Sequence, residues 1–188
     1  MAGLRNPGST YDGTRHNIGA VAVERFVSSH DGSWKRARQG IRAEVAELNL
    51  RGVRTVAVLP TTSMNESGQA IAPLVRYYGV DLDRILILHD DIDVPFAKLK
   101  VQWSRGHAGN NGVRSTIGSL GSGDFWRLKI GVGRPHGKTD PADFVLSRFA
   151  KSEREDIGVT VYRAADVVDQ FVTEGGENAR QYAGEQNS

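Results

Sequence analysis

His16 lies in a polar loop, Thr10 to Asn17, just ahead of a stretch with helical spacing, and Asp90 closes an apolar run that begins at Ile85. These two residue types make a pair with a definite chemistry. A neutral imidazole accepts a proton from water when a carboxylate fixes its tautomer and balances the imidazolium that forms. Asn6, Asn65 and Asn111 each stand in a turn-rich segment near an expected strand end or helix start. A carboxamide offers donors and an acceptor without taking charge, so it can orient a water or a carbonyl. Taken singly, each residue has a plainer reading: His16 closing a helix start, Asp90 gathering loop amides, the asparagines serving as turn residues. Their joint occurrence points to hydrolysis of a polar substrate by an activated water.

The stretch from Ile85 to Gly133 also carries cations, and Arg and Lys gather in Lys35 to Arg38, Lys98 to Arg105 and Arg127 to Lys138. Such clusters suit phosphate oxygens, although a basic run by itself is more often a solvated face. The chain has 188 residues, 39% hydrophobic and 24% charged, with a net charge of +2, the balance of a globular protein that forms one domain. No apolar run approaches the roughly 20 residues that span a bilayer. The absence of cysteine excludes disulfides, a thiol nucleophile and thiolate metal sites. Met1 to Leu4 lacks the basic and apolar regions of a secretory signal, so the expected location is cytoplasmic.

Several motifs fail on spacing. Gly137-Lys138-Thr139 looks like the end of a phosphate-binding loop, but the required first glycine falls on Val132 and Pro135 interrupts the loop. Gly131-Val132-Gly133 lacks the third glycine of a dinucleotide fingerprint, and no Gly-x-Ser-x-Gly is present. His16, His30, His89, His107 and His136 show no paired ligand spacing, so no metal and no cofactor are expected.

The elements that must position the candidate residues follow from periodicity. Residues 17 to 29 have helical spacing, Ala43 to Leu50 and Val53 to Leu59 read as a hairpin about Arg51-Gly52, and Glu66 to Tyr78 reads as a helix closed at Gly79. Ile85 to Leu88 is a buried strand, Leu99, Val101 and Trp103 alternate as a half-exposed one, a short helix begins near Asn111, and a strand spans Trp126 to Val132. Ser152 and Glu155 suggest a capping box before a helix that stops at Gly175-Gly176. Glu177 to Ser188, poor in apolar residues, is expected to be a mobile tail after a domain of residues 1–176. The interleaving predicts a single three-layer α/β domain with a twisted mixed sheet flanked by helices.

In the order Gly3-Leu4-Arg5-Asn6-Pro7-Gly8, Tyr11, Thr14-Arg15-His16-Asn17, Pro60 to Gly68 with Ser63-Met64-Asn65 inside it, His89-Asp90, Gly109-Asn110-Asn111-Gly112 and Arg127-Leu128-Lys129-Ile130-Gly131-Val132-Gly133, the chain resembles the bacterial-type peptidyl-tRNA hydrolases from Gly3 to about Gly175. The resemblance implies metal-independent cleavage of the ester between a peptide and the terminal ribose of tRNA, recycling tRNA in translation, by a monomer with no protein partner. It implies His16 as general base, Asp90 as its orienter, Asn6 and Asn65 positioning the ester or the water, and Asn111 at the peptide and the developing oxyanion. Tyr11, Met64 and Asn110 would line the substrate cleft, with Met64 an adaptable apolar surface. Lys100 and Lys129 match positions associated with tRNA phosphates, and Lys98, Arg105 and Arg127 lie close enough in sequence to join them. The helix after Ser152 would flank or gate the cleft.

The chain departs from the family pattern in places. Asn110 stands where many members have a second histidine, which keeps hydrogen bonding but removes a titrating group. Ser63 replaces a larger residue, the connection Asp93 to Ala97 is short, and only Met1 to Leu4 precede Arg5-Asn6, leaving the first strand a stub. Two other readings fit parts of the pattern: a binding paralogue that holds RNA but cleaves weakly or not at all, and a small-molecule hydrolase whose basic clusters are surface only.

Overall fold

The computed structural model describes residues 1–135 and 137–187. His136, and Ser188 at the end of the expected tail, lie outside the described residues. The elements in chain order are β1 (Ala2–Gly3), α1 (Ile18–Ser29), β2 (Lys35–Arg36), β3 (Ala43–Leu50), β4 (Val53–Pro60), α2 (Ser67–Tyr78), β5 (Leu86–Asp91), β6 (Leu99–Trp103), α3 (Asn111–Leu120), β7 (Trp126–Gly131), α4 (Pro141–Leu146), α5 (Arg154–Glu174) and α6 (Gly176–Glu185). The strands form one seven-stranded mixed sheet in the order β2-β3-β4-β1-β5-β7-β6. β1, β4, β5 and β7 are parallel to their neighbours within that group, and β2, β3 and β6 pair antiparallel.

Short as it is, β1 sits at the centre of the sheet. Ala2 pairs with Val58 on one side and Ile87 on the other, Gly3 pairs with Leu88, and the ladder continues through Val58 N–H to Met1 O and Leu4 N–H to Leu88 O, both 3.0 Å. The stub is therefore paired on both edges, and Leu4 is fully buried. β5 runs three residues beyond the apolar stretch that marks it in sequence. His89, Asp90 and Asp91 stay in register with Lys129, Ile130 and Gly131 of β7, because a parallel ladder is held by backbone groups and does not require apolar side chains.

Apolar side chains pack on both faces of the sheet, in two clusters. Phe26, Leu86, Leu88, Leu128, Val161, Val168 and Phe171 belong to the cluster that joins the sheet to α1 and α5. Leu4, Met64, Ile71, Leu74, Ile87, Val113 and Phe125 belong to the other, with α2 and α3. α2 closes on Gly79 at φ 64°, as its pattern predicts.

Two features of the C-terminal half differ from expectation. The Ser152/Glu155 capping box does not form; Glu153 Oε2 instead accepts Ala150 N–H at 2.6 Å ahead of α5. Residues 176–185 form α6 rather than a tail. Ala179 and Ala183, four apart, are fully buried, and Asn187 pairs with the edge strand like an added strand: Leu99 N–H donates to its Oδ1 at 2.9 Å, and its Nδ2 donates to Leu99 O at 2.6 Å. Small alanines at helical spacing give a face that packs closely while adding little to hydropathy. The helix and Asn187 together cover a sheet edge that would otherwise expose unpaired backbone.

Candidate active site

α1 brings His16 to the sheet because Gly19 has no side chain. A Cβ on Gly19 would lie 2.2 Å from Leu88 O of β5, so only glycine lets the helix approach this closely. The 3₁₀ turn Arg15–Asn17 leads into the helix and places His16 Nδ1 2.9 Å from Asp90 Oδ1. A carboxylate can only accept, so Nδ1 carries the proton and Nε2 is left with its lone pair, the arrangement of a base. Burial works against charge on His16, but the hydrogen bond to Asp90 and the Asp90 charge outweigh it and raise the imidazole above its ordinary 6.5.

Asn110 completes this unit. Its Nδ2 donates to the same Asp90 oxygen at 3.1 Å, while its Oδ1 caps α3 by accepting Gly112 N–H at 3.0 Å and Val113 N–H at 3.1 Å. Expected as a lining residue for substrate, Asn110 does line the cleft, but its polar atoms are turned to Asp90 and the helix start. His89 has no such place. Burial leads the causes that hold it below 6.5, its Nδ1 donates to Asp90 O at 2.6 Å, and it stays a neutral core residue.

The three other asparagine positions meet around one cleft of about 690 Å³, lined also by Tyr11, His16, Met64 and Asp90. Asn6 is fixed by reciprocal bonds with Asn17: Asn6 N–H to Asn17 Oδ1 at 2.8 Å, and Asn17 Nδ2 to Asn6 O at 2.9 Å. Its Oδ1 accepts Met64 N–H at 2.8 Å, which leaves Nδ2 as the donor for the cleft. Asn65 is exposed, Asn111 is half-buried at the start of α3, and neither side chain has a hydrogen bond among the described residues. Met64 is 2% exposed, so it is more a floor of the cleft, packed under Gly112 and Leu4, than a movable wall.

The opposite wall is α4, not the helix after Ser152. Asp140, Pro141, Ala142, Val145 and Leu146 face the cleft, whereas α5 packs on α1 and the sheet. Sequence reading missed α4; the signal that could have found it is Asp140-Pro141, an N-cap followed by proline at the first helical position, and Asp140 Oδ1 accepts Ala142 N–H at 2.7 Å. Arg15, the neighbour of His16, ties this wall down. Its guanidinium donates to Ser147 Oγ, Arg148 O and Glu153 Oε2 and lies between the rings of Phe144 and Phe149. Arg15 and Asn17 stand in the Thr14 to Asn17 motif, yet the residue types alone did not separate support from chemistry.

The basic residues divide. Lys100 and Arg105 are exposed and have no acidic partner among the described residues. Lys98 Nζ donates to Asn187 O at 2.6 Å. Lys129 faces Lys100 across the β6–β7 pair and is neutralised by Asp91, Nζ to Oδ2 2.8 Å. Burial opposes the Asp91 charge, but Lys129 and the Asp93 amide outweigh it and hold this carboxyl below 3.8. Arg127 departs from the expected role in tRNA contact. It is 1% exposed, and its guanidinium donates to the carbonyls of Ser104, Gly106 and Gly123. Residues 104–106 and Gly123 enclose the guanidinium, so a cation expected at the RNA is instead buried against the chain's own carbonyls.

Comparison with known proteins gives matches along the whole chain. The family model described as peptidyl-tRNA hydrolase matches residues 1–188. A peptidyl-tRNA hydrolase of Kineococcus radiotolerans is 41% identical over 186 residues, covering 96% of this chain and 94% of that protein. One of Chloroflexus aggregans is 45% identical over 177 residues, with 93% of each covered. The crystal structure of peptidyl-tRNA hydrolase from Acinetobacter baumannii superposes with a TM-score of 0.90 at 30% identity, over 97% of this chain and 92% of that one.

Proposed function

The chain belongs to the peptidyl-tRNA hydrolase family, hydrolases of the ester between peptide and tRNA, and we propose that His16 is the base of that reaction here. The observation that carries the proposal is the His16–Asp90 pair at 2.9 Å, set in a cleft ringed by amides. His16 Nε2 takes a proton from water, and the water oxygen bonds to the ester carbonyl carbon. Asp90 balances the imidazolium. Asn6 Nδ2, Asn65 and Asn111 supply donors for the ester, the water and the oxyanion as it develops. When the bond to the ribose oxygen breaks, the imidazolium returns its proton to that leaving oxygen, giving free peptide and tRNA. Lys100 and Arg105 contact phosphates of the acceptor end, with Lys98 and Lys129 beside them. We take the enzyme to act as a monomer, as the family resemblance implies, and a tRNA substrate fits a cytoplasmic setting.

The paired dyad also argues against the reading in which the fold only holds RNA. The test is release of peptide from a peptidyl-tRNA analogue in excess chelator, compared with His16→Ala. Cleavage by the unmutated protein and a loss on the order of 10²- to 10⁴-fold in the variant are expected. Equal cleavage by the variant would remove His16 from the role, and tRNA binding without any cleavage would favour the binding-only reading.

A further inference from the structure

The loop between β6 and α3 is held in a conformation that its own residues disfavour. Ser104 (φ 52°), Arg105 (φ 93°) and Ala108 (φ 46°) join Gly109 (φ 81°) in the left-handed region, where residues with side chains are uncommon. Such a conformation persists only when its surroundings impose it. Three kinds of contact do so at its first half: Ser104 N–H to Phe125 O at 3.1 Å, Ser104 Oγ to Asp124 Oδ1 at 2.9 Å, and the Arg127 guanidinium. Arg127 donates from Nη1 to Ser104 O at 2.5 Å and Gly106 O at 3.4 Å, and from Nη2 to Gly123 O at 3.3 Å, with its guanidinium 4.8 Å over the Phe125 ring. No carboxylate meets it among the described residues, so a buried cation is committed to carbonyls alone. The loop then ends on Asn110, whose backbone N–H bonds His107 O at 2.9 Å and whose Nδ2 reaches Asp90 Oδ1.

We propose that Arg127 is a positioning residue for the hydrolysis: it clamps loop 104–109 so that Asn110 is delivered to the Asp90 oxygen that orients His16. The inference rests on the proposed role of His16 for its activity readout, but not for its spectroscopic one. Asn110 donates to the oxygen His16 uses and so draws on the same negative charge. When the clamp loosens, Asp90 is left to His16 alone and the imidazolium gains. The charged group that faces His16 is Asp90 of β5, while Asp91 of β5 and Asp140 ahead of α4 line the same cleft.

The experiment follows the His16 ring protons by NMR through a pH titration in the unmutated protein, Asn110→Ala, Arg127→Lys and the double variant, with thermal unfolding recorded for each. Arg127→Lys keeps a cation in the buried site while losing the fork that spans three carbonyls, so it is the variant chosen to fold. The His16 titration is expected to move upward in both single variants, and no further in the double variant than in Asn110→Ala. kcat for a peptidyl-tRNA analogue should fall on the order of 10- to 100-fold in Arg127→Lys, the scale of a small misplacement in an active site. If Arg127→Lys lowers thermal stability while His16 titrates as in the unmutated protein, the residue serves the fold alone and the proposal fails. Displacements that add in the double variant overturn it too, as does a reduced salt dependence of tRNA binding, which would make Arg127 a phosphate contact. Failure of the His16 base assignment would appear separately, as unimpaired cleavage by His16→Ala.

Discussion

At the scale of single residues the site turns on one oxygen. Asp90 Oδ1 accepts from His16 Nδ1 and from Asn110 Nδ2, so it sets both the tautomer of the proposed base and its affinity for a proton. Because Asp90 raises His16 above 6.5, activity should fall on the acid side as His16 becomes charged. Replacing Asp90 by Asn removes the charge that raises it. The acid limb of kcat/KM against pH is then expected to move to lower pH, with kcat reduced by up to about 10⁴-fold because the tautomer is no longer enforced. A limb that stays in place would separate Asp90 from His16. Lys129 and Asp91 give a second case, in stability. Asp91 is held below 3.8, so the pair's contribution is present above the ordinary carboxyl range and is lost as pH falls through the depressed value. Lys129→Met should therefore cost about 3 kcal/mol near neutral pH, as expected when one partner of a buried pair is removed. In chemical denaturation the gap to the unmutated protein should close in acid. Residue types and order pointed to His16, Asp90 and the asparagines as candidates, but not to the direction of each polar group. Asn110 could be read as a substrate contact until its two ends were seen on Asp90 and the α3 amides, and Arg127 as a surface cation until its guanidinium was seen to be buried against carbonyls.

At the scale of elements, the dyad depends on a helix lying against a strand without a side chain between them. Gly19→Ala would put a methyl 2.2 Å from Leu88 O and push α1 from β5. The expected outcome is a loss of about 1–3 kcal/mol in denaturant unfolding from overpacking, together with a drop in kcat larger than any change in KM. A variant with unchanged kcat would mean that His16 reaches Asp90 without this close approach. Periodicity located α1, α2, the β3–β4 hairpin and the end of α5 because each has an apolar pattern and a stop signal in adjacent residues. It understated β5, whose last three residues are polar yet remain in the ladder, and it missed α6, whose buried face is two alanines. The family resemblance, for its part, pointed to the wrong helix for the flank of the cleft. α5 carries the longer apolar face and so the stronger signal, while α4 is six residues long and held in place by Arg15 from far along the chain.

At the scale of the whole molecule, the question is how much of the basic surface is available to an RNA. A net charge of +2 and clustered cations suggest a broad phosphate-binding track, but folding has already used much of it. Of the five cations expected to contact RNA, Arg127 is spent on carbonyls, Lys129 on Asp91 and Lys98 on Asn187, which leaves Lys100 and Arg105 at the β6 edge of the sheet. Each cation that neutralises a phosphate contributes a slope of about −0.9 in log affinity against log salt for a duplex. Lys100→Ala should therefore make the salt dependence of tRNA binding shallower by about one unit, and Arg105→Ala by a similar step. Lys129→Met should leave the slope nearly unchanged, because removing a charge already balanced by Asp91 releases no additional counterions. Titrations of tRNA at several salt concentrations check all three. Equal reductions for Lys100 and Lys129 would show that the Asp91 pair opens when RNA binds, and that the pairing seen in the free protein is a resting arrangement of the same track.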